Sequence, residues 1–144
     1  MSYLVKHYMR KEVPTINSDS TALQAATEMS NQNRGFVVVL KDGQPVGIIT
    51  EHDFMDKIIV GKKTPSKTTV ESIMSSPLII IDPDLDLVEA SKVMIQHNIR
   101  RLIVVRDGII YGSITTRDIV KSLGDYLDTA TKDILRWSAP SFSR

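Results

Sequence analysis

Gly47-Ile48-Ile49-Thr50-Glu51-His52-Asp53 and Gly112-Ser113-Ile114-Thr115-Thr116-Arg117-Asp118 are two versions of one phrase, Gly-x-Ile-Thr-x-x-Asp, set 65 residues apart. Each is preceded by a β-branched apolar run and an Asp-Gly pair: residues 36–40 with Asp42-Gly43, and residues 102–105 with Asp107-Gly108. Asp-Gly predicts a tight hairpin, because both central positions of the favoured turn need φ > 0. The runs read as strands buried on both faces, with return strands over 45–49 and 109–114. A helix is expected to start at Thr50 and at Thr115.

Moving outward from this phrase, residues 5–60 align on 70–125 without a gap and share fourteen identities in 56 pairs. Unrelated sequences of ordinary composition would share roughly three. A chain of 144 residues predicts one compact domain, so the domain is built from two similar halves. A half of that size is marginal alone, which implies that each buries an apolar face on the other. Each half opens with a short apolar run, residues 13–16 and 78–81. A helix follows, for which Thr21 with Gln24 and Asp86 with Glu89 have capping-box spacing. Ala22, Ala25, Ala26 and Met29 form one helical face, as do Leu87, Ala90, Ser91 and Met94. The second helices should turn Phe54, Ile58 and Ile59, or Ile119, Val120 and Leu123, inward. The expected order per half is β-α-β-β-α, an α/β (α+β) fold. Its divisions are 5–60, a polar linker over 61–69, 70–124, and a tail over 125–144.

Lys57, Lys62, Lys63 and Lys67 read either as a solvated loop or as an anion-binding patch. In the tail, Leu127, Ala130, Ile134 and Leu135 are spaced for an amphipathic helix, and Trp137 follows. That helix either packs on its own domain or meets a partner. The chain has no Cys, which excludes disulfides, thiolate metal sites and a Cys nucleophile. Eighteen basic residues against seventeen acidic ones argue against a dedicated nucleic-acid or membrane-surface binder. No apolar stretch is long enough to span a bilayer, and the N-terminus lacks a signal-peptide pattern, so the expected location is the cytoplasm. No metal-ligand spacing, P-loop or nucleophile-elbow pattern is present, and the expectation is a non-enzyme.

The repeated phrase carries the chemistry. Its Gly permits either a close backbone approach or a ligand where a side chain would intrude. Its Thr and Asp fall in the first turn of a helix, where free amides favour anions. A carboxylate there can accept two hydrogen bonds from a ribose diol. The same Thr-x-x-Asp spacing also makes a capping box, and the two roles can coexist.

Tandem β-α-β-β-α units that each end in Gly-x-Ile-Thr-x-x-Asp after an Asp-Gly hairpin resemble a pair of cystathionine-β-synthase (CBS) domains, a Bateman module. The resemblance covers residues 5–125. It implies two units packed sheet to sheet about a pseudo-twofold axis, leaving clefts for adenine nucleotides (AMP, ADP, ATP) or S-adenosylmethionine as regulatory ligands rather than cofactors. By the same resemblance Asp53 and Asp118 hold ribose hydroxyls, and Thr50 and Thr115 meet ribose or phosphate. Arg117 reaches phosphate, with His52 as the departing counterpart. Arg100 and Arg101 supply cations before the second strand, where the first half offers Arg34 alone and shifted. Thr15-Ile16 and Ile80-Ile81 meet adenine, and Val46 and Tyr111 line the base. Three arginines in the second half make its site the stronger one for phosphate. His52 would tune the first site by pH only if it pointed inward. The expected function is a free-standing regulatory protein that binds adenine nucleotide and signals to an unknown effector, with homodimers expected. The alternatives are a ligand-independent dimerisation module and, further off, a nucleic-acid binder.

Overall fold

The computed structural model describes residues 3–142, with side chains to residue 136. Trp137 therefore lies outside the described side chains. Two three-stranded sheets form, one per half. The first comprises β1 (Thr15–Asn17), β2 (Phe36–Lys41) and β3 (Gln44–Thr50), and the second β4 (Ile80–Ile81), β5 (Arg101–Arg106) and β6 (Ile109–Thr115). In each, the short first strand pairs parallel with the second, and the hairpin partner is antiparallel. Both Asp-Gly turns have positive φ at both residues: Asp42 52°, Gly43 77°, Asp107 52° and Gly108 74°. Each hairpin also bulges at the same repeat position. Val39 faces Gly47 and Leu40 faces Pro45, while Val104 faces Gly112 and Val105 faces Ile110. Val46 and Tyr111 are the extra residues, and each bulge sits directly before the phrase glycine.

The helices α2 (Ala22–Asn31) and α5 (Leu87–His97) cover the sheets. Thr21 and Gln24 form the expected capping box. Asp86 does not: its carboxylate accepts from the Val88 amide, two residues on, and Glu89 pairs instead with Lys92. Asn33 and Asn98 end these helices in the left-handed conformation, with φ of 51° and 52°, a place that Asn tolerates better than most residues.

Besides a 3-10 helix over Pro65–Lys67 in the expected linker, two α-helices lie outside the expected β-α-β-β-α order: α1 (Val5–Tyr8) and α4 (Val70–Ile73), one leading each half. They are exchanged. Val5 packs in the core of the second half, and Val70 and Ile73 pack in the core of the first. Val5 and Lys6 amides donate to Leu85 and Pro83 carbonyls, and the Val70 amide donates to Ser20. Arg10 bridges to Ser113 and Ser75 to Ile48, which are equivalent positions under the 65-residue offset.

The buried residues fall into three clusters. Val37, Val39 and Ile49 face α2 and α4 in the first half, and Leu102, Val104 and Ile114 face α5 and α1 in the second. Alternate residues Phe36, Val38, Ile103 and Val105 meet between the two sheets. That alternation is why the strand runs are apolar throughout.

After Thr50 the chain forms α3 (Glu51–Asp53), which continues as a π-helix over Phe54–Val60. Phe54 and Ile58 face inward as expected, but Ile59 is 72% exposed. In the second half Ile119 packs inward, whereas Val120 and Leu123 are exposed and Ser122 takes the buried position. The tail is not separate: Thr116–Phe142 is one helix, α6, that starts in the phrase itself. No described helix is long and apolar enough to cross a membrane.

Candidate functional site

The two phrases begin α3 and α6 at the junction between the halves. In both, the Asp closes a capping interaction. Asp53 Oδ2 accepts from the Thr50 amide at 2.9 Å, and Asp118 Oδ2 accepts from the Thr115 amide at 2.9 Å and its hydroxyl at 3.0 Å. Both carboxylates are about 95% buried, with exposures of 4% and 5%. The capping role is therefore present in both halves and occupies Oδ2, leaving Oδ1 to other partners.

The glycines have a different reason. A Cβ on Gly112 would sit 2.5 Å from the Arg10 carbonyl oxygen and 2.9 Å from Met9 Sδ; one on Gly47 would sit 2.5 Å from Met74 Sδ and 3.0 Å from the Ser75 carbonyl oxygen. The approach that demands Gly is the exchanged leader segment of the other half, not a ligand.

Beside Asp118 a cleft of about 330 Å³ opens between the halves. Its walls come from Arg34, Gly35 and Phe36 of the first half, and from Arg100, Arg101, Ser113, Thr115, Thr116 and Arg117 of the second. Arg10, from the leader, completes it. Five lining residues are arginines and none is acidic. Phe36 is the platform: the Arg101 guanidinium lies 4.0 Å from its ring centroid and that of Arg34 5.2 Å, geometry that favours a cation over an aromatic face. Arg34 is held by donation to the Glu12 carbonyl at 2.9 Å. Burial and the neighbouring Arg34 hold the Arg101 guanidinium below the ordinary arginine value. Arg101 Nε is buried and, among the described residues, has no hydrogen-bond partner. Arg10 Nε stands 3.7 Å from Asp118 Oδ1.

Of the residues expected at a site, Arg100, Arg101, Thr115 and Arg117 line this cleft and Asp118 lies at the base of its helix. The others stand elsewhere. Thr15 and Ile80 are exposed, Ile16 and Val46 pack on the first core, and Tyr111 is exposed at its bulge. His52 is exposed and is not among the cleft residues, nor is Thr50. Asp53 is instead engaged from within: Lys57 Nζ lies 3.0 Å from its Oδ1 and also donates to the Ile73 carbonyl at 2.6 Å. Arg10 and Phe36 were not expected there. Arg10 joins the cleft only because its segment crosses to the other half, a long-range event with no local signature.

Two three-stranded α+β units with exchanged leaders and a cationic cleft at their junction define a paired-repeat fold. The chain belongs to the CBS domain family: residues 5–60 and 70–125 each match the CBS domain. An uncharacterized protein of Methanopyrus kandleri is 35% identical over 122 residues, covering 83% of this chain and 62% of that protein. A relative from Methanocaldococcus jannaschii is spanned over only 32% of its length, so these relatives extend beyond the matched region. The CBS domain-containing protein YhcV of Bacillus subtilis is 30% identical, with 80% of this chain and 81% of that protein covered. A crystal structure of an uncharacterized conserved protein from Pyrococcus horikoshii superposes with a TM-score of 0.77 at 28% identity, covering 85% and 92% of the two chains.

Proposed function

We propose that this regulatory CBS pair binds an adenine nucleotide in the arginine-lined cleft beside Asp118 and reports its occupancy to a protein partner. The observation that carries the reading is convergence. Arginines from both halves face one cavity with no acid in its lining, and a phosphorylated ligand is the small molecule that such a cavity favours. On this reading Asp118 Oδ1, at the start of α6, accepts from a sugar diol once Arg10 turns to phosphate. The cationic lining favours AMP, ADP or ATP over S-adenosylmethionine, whose sulfonium is itself a cation. A ligand that touches both halves changes their relative order only in proportion to its differential affinity for the two arrangements.

The test is thermal unfolding with millimolar AMP, ADP, ATP and S-adenosylmethionine. Nucleotide at about 100 times its dissociation constant adds about 2.7 kcal/mol of stability. A transition unmoved by every one of the four overturns the reading. Asp118→Asn keeps an acceptor for the Thr115 amide, so it retains the fold and loses the nucleotide-dependent shift.

A second reading, self-association, draws on the exposed apolar residues of the two phrase helices. Met55 and Ile59 in the first, and Val120, Leu123, Tyr126 and Leu127 along α6, are all more than half exposed. A second copy of the chain is the occupant we propose for this face. Sedimentation at several concentrations checks it: a dimer is expected, and Leu123→Glu with Leu127→Glu restores the monomer.

A further inference from the structure

The two halves treat their buried carboxylates differently, and the 65-residue offset shows why. Lys57 of the first half corresponds to Ser122 of the second. Lys57 sits one turn past Asp53, lies 3.0 Å from its Oδ1, and is anchored to the Ile73 carbonyl at 2.6 Å; Ser75 Oγ adds a contact at 3.4 Å. Asp53 thus carries an internal counter-ion tied into the protein. Ser122 carries no charge to offset Asp118, and its hydroxyl donates to the Ile119 carbonyl at 2.6 Å. The cation facing Asp118 is Arg10, at a longer 3.7 Å on a side chain that is 52% exposed. One carboxylate is neutralised by a fixed group, the other by an exchangeable one.

The cleft beside Asp118 also holds more positive charge than one phosphate offsets. Five arginines line it, Asp118 and Glu51 act on them from just outside the lining and leave an excess of three positive charges, and Arg101 Nε is buried with no partner among the described residues. Like charges held this close in a partly desolvated site repel, and an anion relieves that repulsion. A phosphate monoester carries about −1.5 to −2 charges at neutral pH, so two or more phosphates are needed to approach balance. Arg34 reaches the cleft from the first half, and Arg100, Arg101 and Arg117 from the second, which suits a chain of phosphates lying across the junction.

We infer that the protein holds one ligand per chain, in the Asp118 cleft only, that this ligand bears a chain of at least two phosphates, and that Lys57 keeps the Asp53 side closed. The inference rests on the nucleotide reading above and goes beyond it in stoichiometry and ligand class. Isothermal titration of the full chain with AMP, ADP, ATP and inorganic tripolyphosphate tests it. One site per chain is expected, with at least tenfold tighter binding of ADP than of AMP, and tripolyphosphate displaces ADP. Arg101→Met keeps the stem over Phe36 and lowers ADP affinity at least tenfold. Lys57→Met leaves ADP affinity at the Asp118 cleft within twofold and frees the Asp53 carboxylate, so that a second, weaker site appears in this variant alone. Two sites in the unaltered chain, equal affinity for AMP and ADP, a tenfold loss at the Asp118 cleft in Lys57→Met, or a single site in that variant each overturns the inference. Tripolyphosphate binding without any nucleotide binding upholds the polyphosphate cleft and overturns the nucleotide reading. AMP binding without an ADP preference does the reverse.

Discussion

Gly112 and Gly47 show how one residue type answers a question that local pattern leaves open. A glycine in a strand marks either a ligand or a close backbone, and here the Arg10 and Ser75 carbonyls decide for the backbone. Gly112→Ala forces the leader outward and is expected to cost about 1–3 kcal/mol, as overpacking in a tight core does. Urea denaturation measures it. Gly43→Ala, with a positive φ but nothing within 4 Å, separates the two causes, since its cost is conformational alone. The same contrast explains what could be read of the site beforehand. Thr115 and Asp118 belong to the repeated phrase and were legible from it, whereas Arg100, Arg101 and Arg117 have no arginine at the equivalent positions Gly35, Phe36 and His52 and were expected only from the family resemblance. Arg10 depends on a contact between segments far apart in sequence, which no local pattern encodes, whereas Asp53 and Lys57 stand four apart on one helix, a spacing that does signal their pairing.

The leader helices α1 and α4 are too short to be stable alone, and their place comes from what they bury. Val5 and Val70 are fully buried, each in the core of the half it does not belong to. Val5→Ala and Val70→Ala are therefore each expected to cost about 2 kcal/mol. Calorimetry should find a loss of similar size for the pair. On α1 the backbone bonds are supplemented by an exposed ion network. Asp84 meets Lys6 at 2.8 Å and Arg106 at 2.6 Å, and these hydrogen bonds lower its pKa to about 2. A carboxylate depressed in the folded state stabilises above its unfolded value near 3.8 and loses that contribution as pH falls through about 2. Amide-exchange protection of Val5 and Lys6 is expected to weaken between pH 4 and 2, by a small amount because the network is exposed. Asp84→Asn should flatten that step while the backbone bonds persist. Aromatic contacts tie α1 to α6: Tyr3 stacks near Tyr8 at 6.2 Å and meets Tyr126 edge-on at 5.8 Å.

Exchange of leaders makes the two halves interdependent. Neither half closes its core without a helix from the other, and a third apolar cluster lies between the sheets. Heat should unfold both in a single transition, with calorimetric and van't Hoff enthalpies equal; two resolved transitions would contradict this. The halves, their hairpins and the phrase were legible because the repeat supplies an internal comparison. The exchange was not, since a leader four residues long has the same local pattern whichever core it enters. The continuity of α6 with the tail escaped for a related reason: the repeat ends near residue 125, but the helix does not. The central claim is that one ligand bridges the halves at the arginine cleft. Its most direct test is an amide NMR titration with ADP. The account predicts saturable shifts at Arg34, Gly35, Arg100, Arg101 and Thr115 through Asp118, with Thr50 through Asp53 unmoved. Shifts confined to residues 62–67, or none at all, would contradict it.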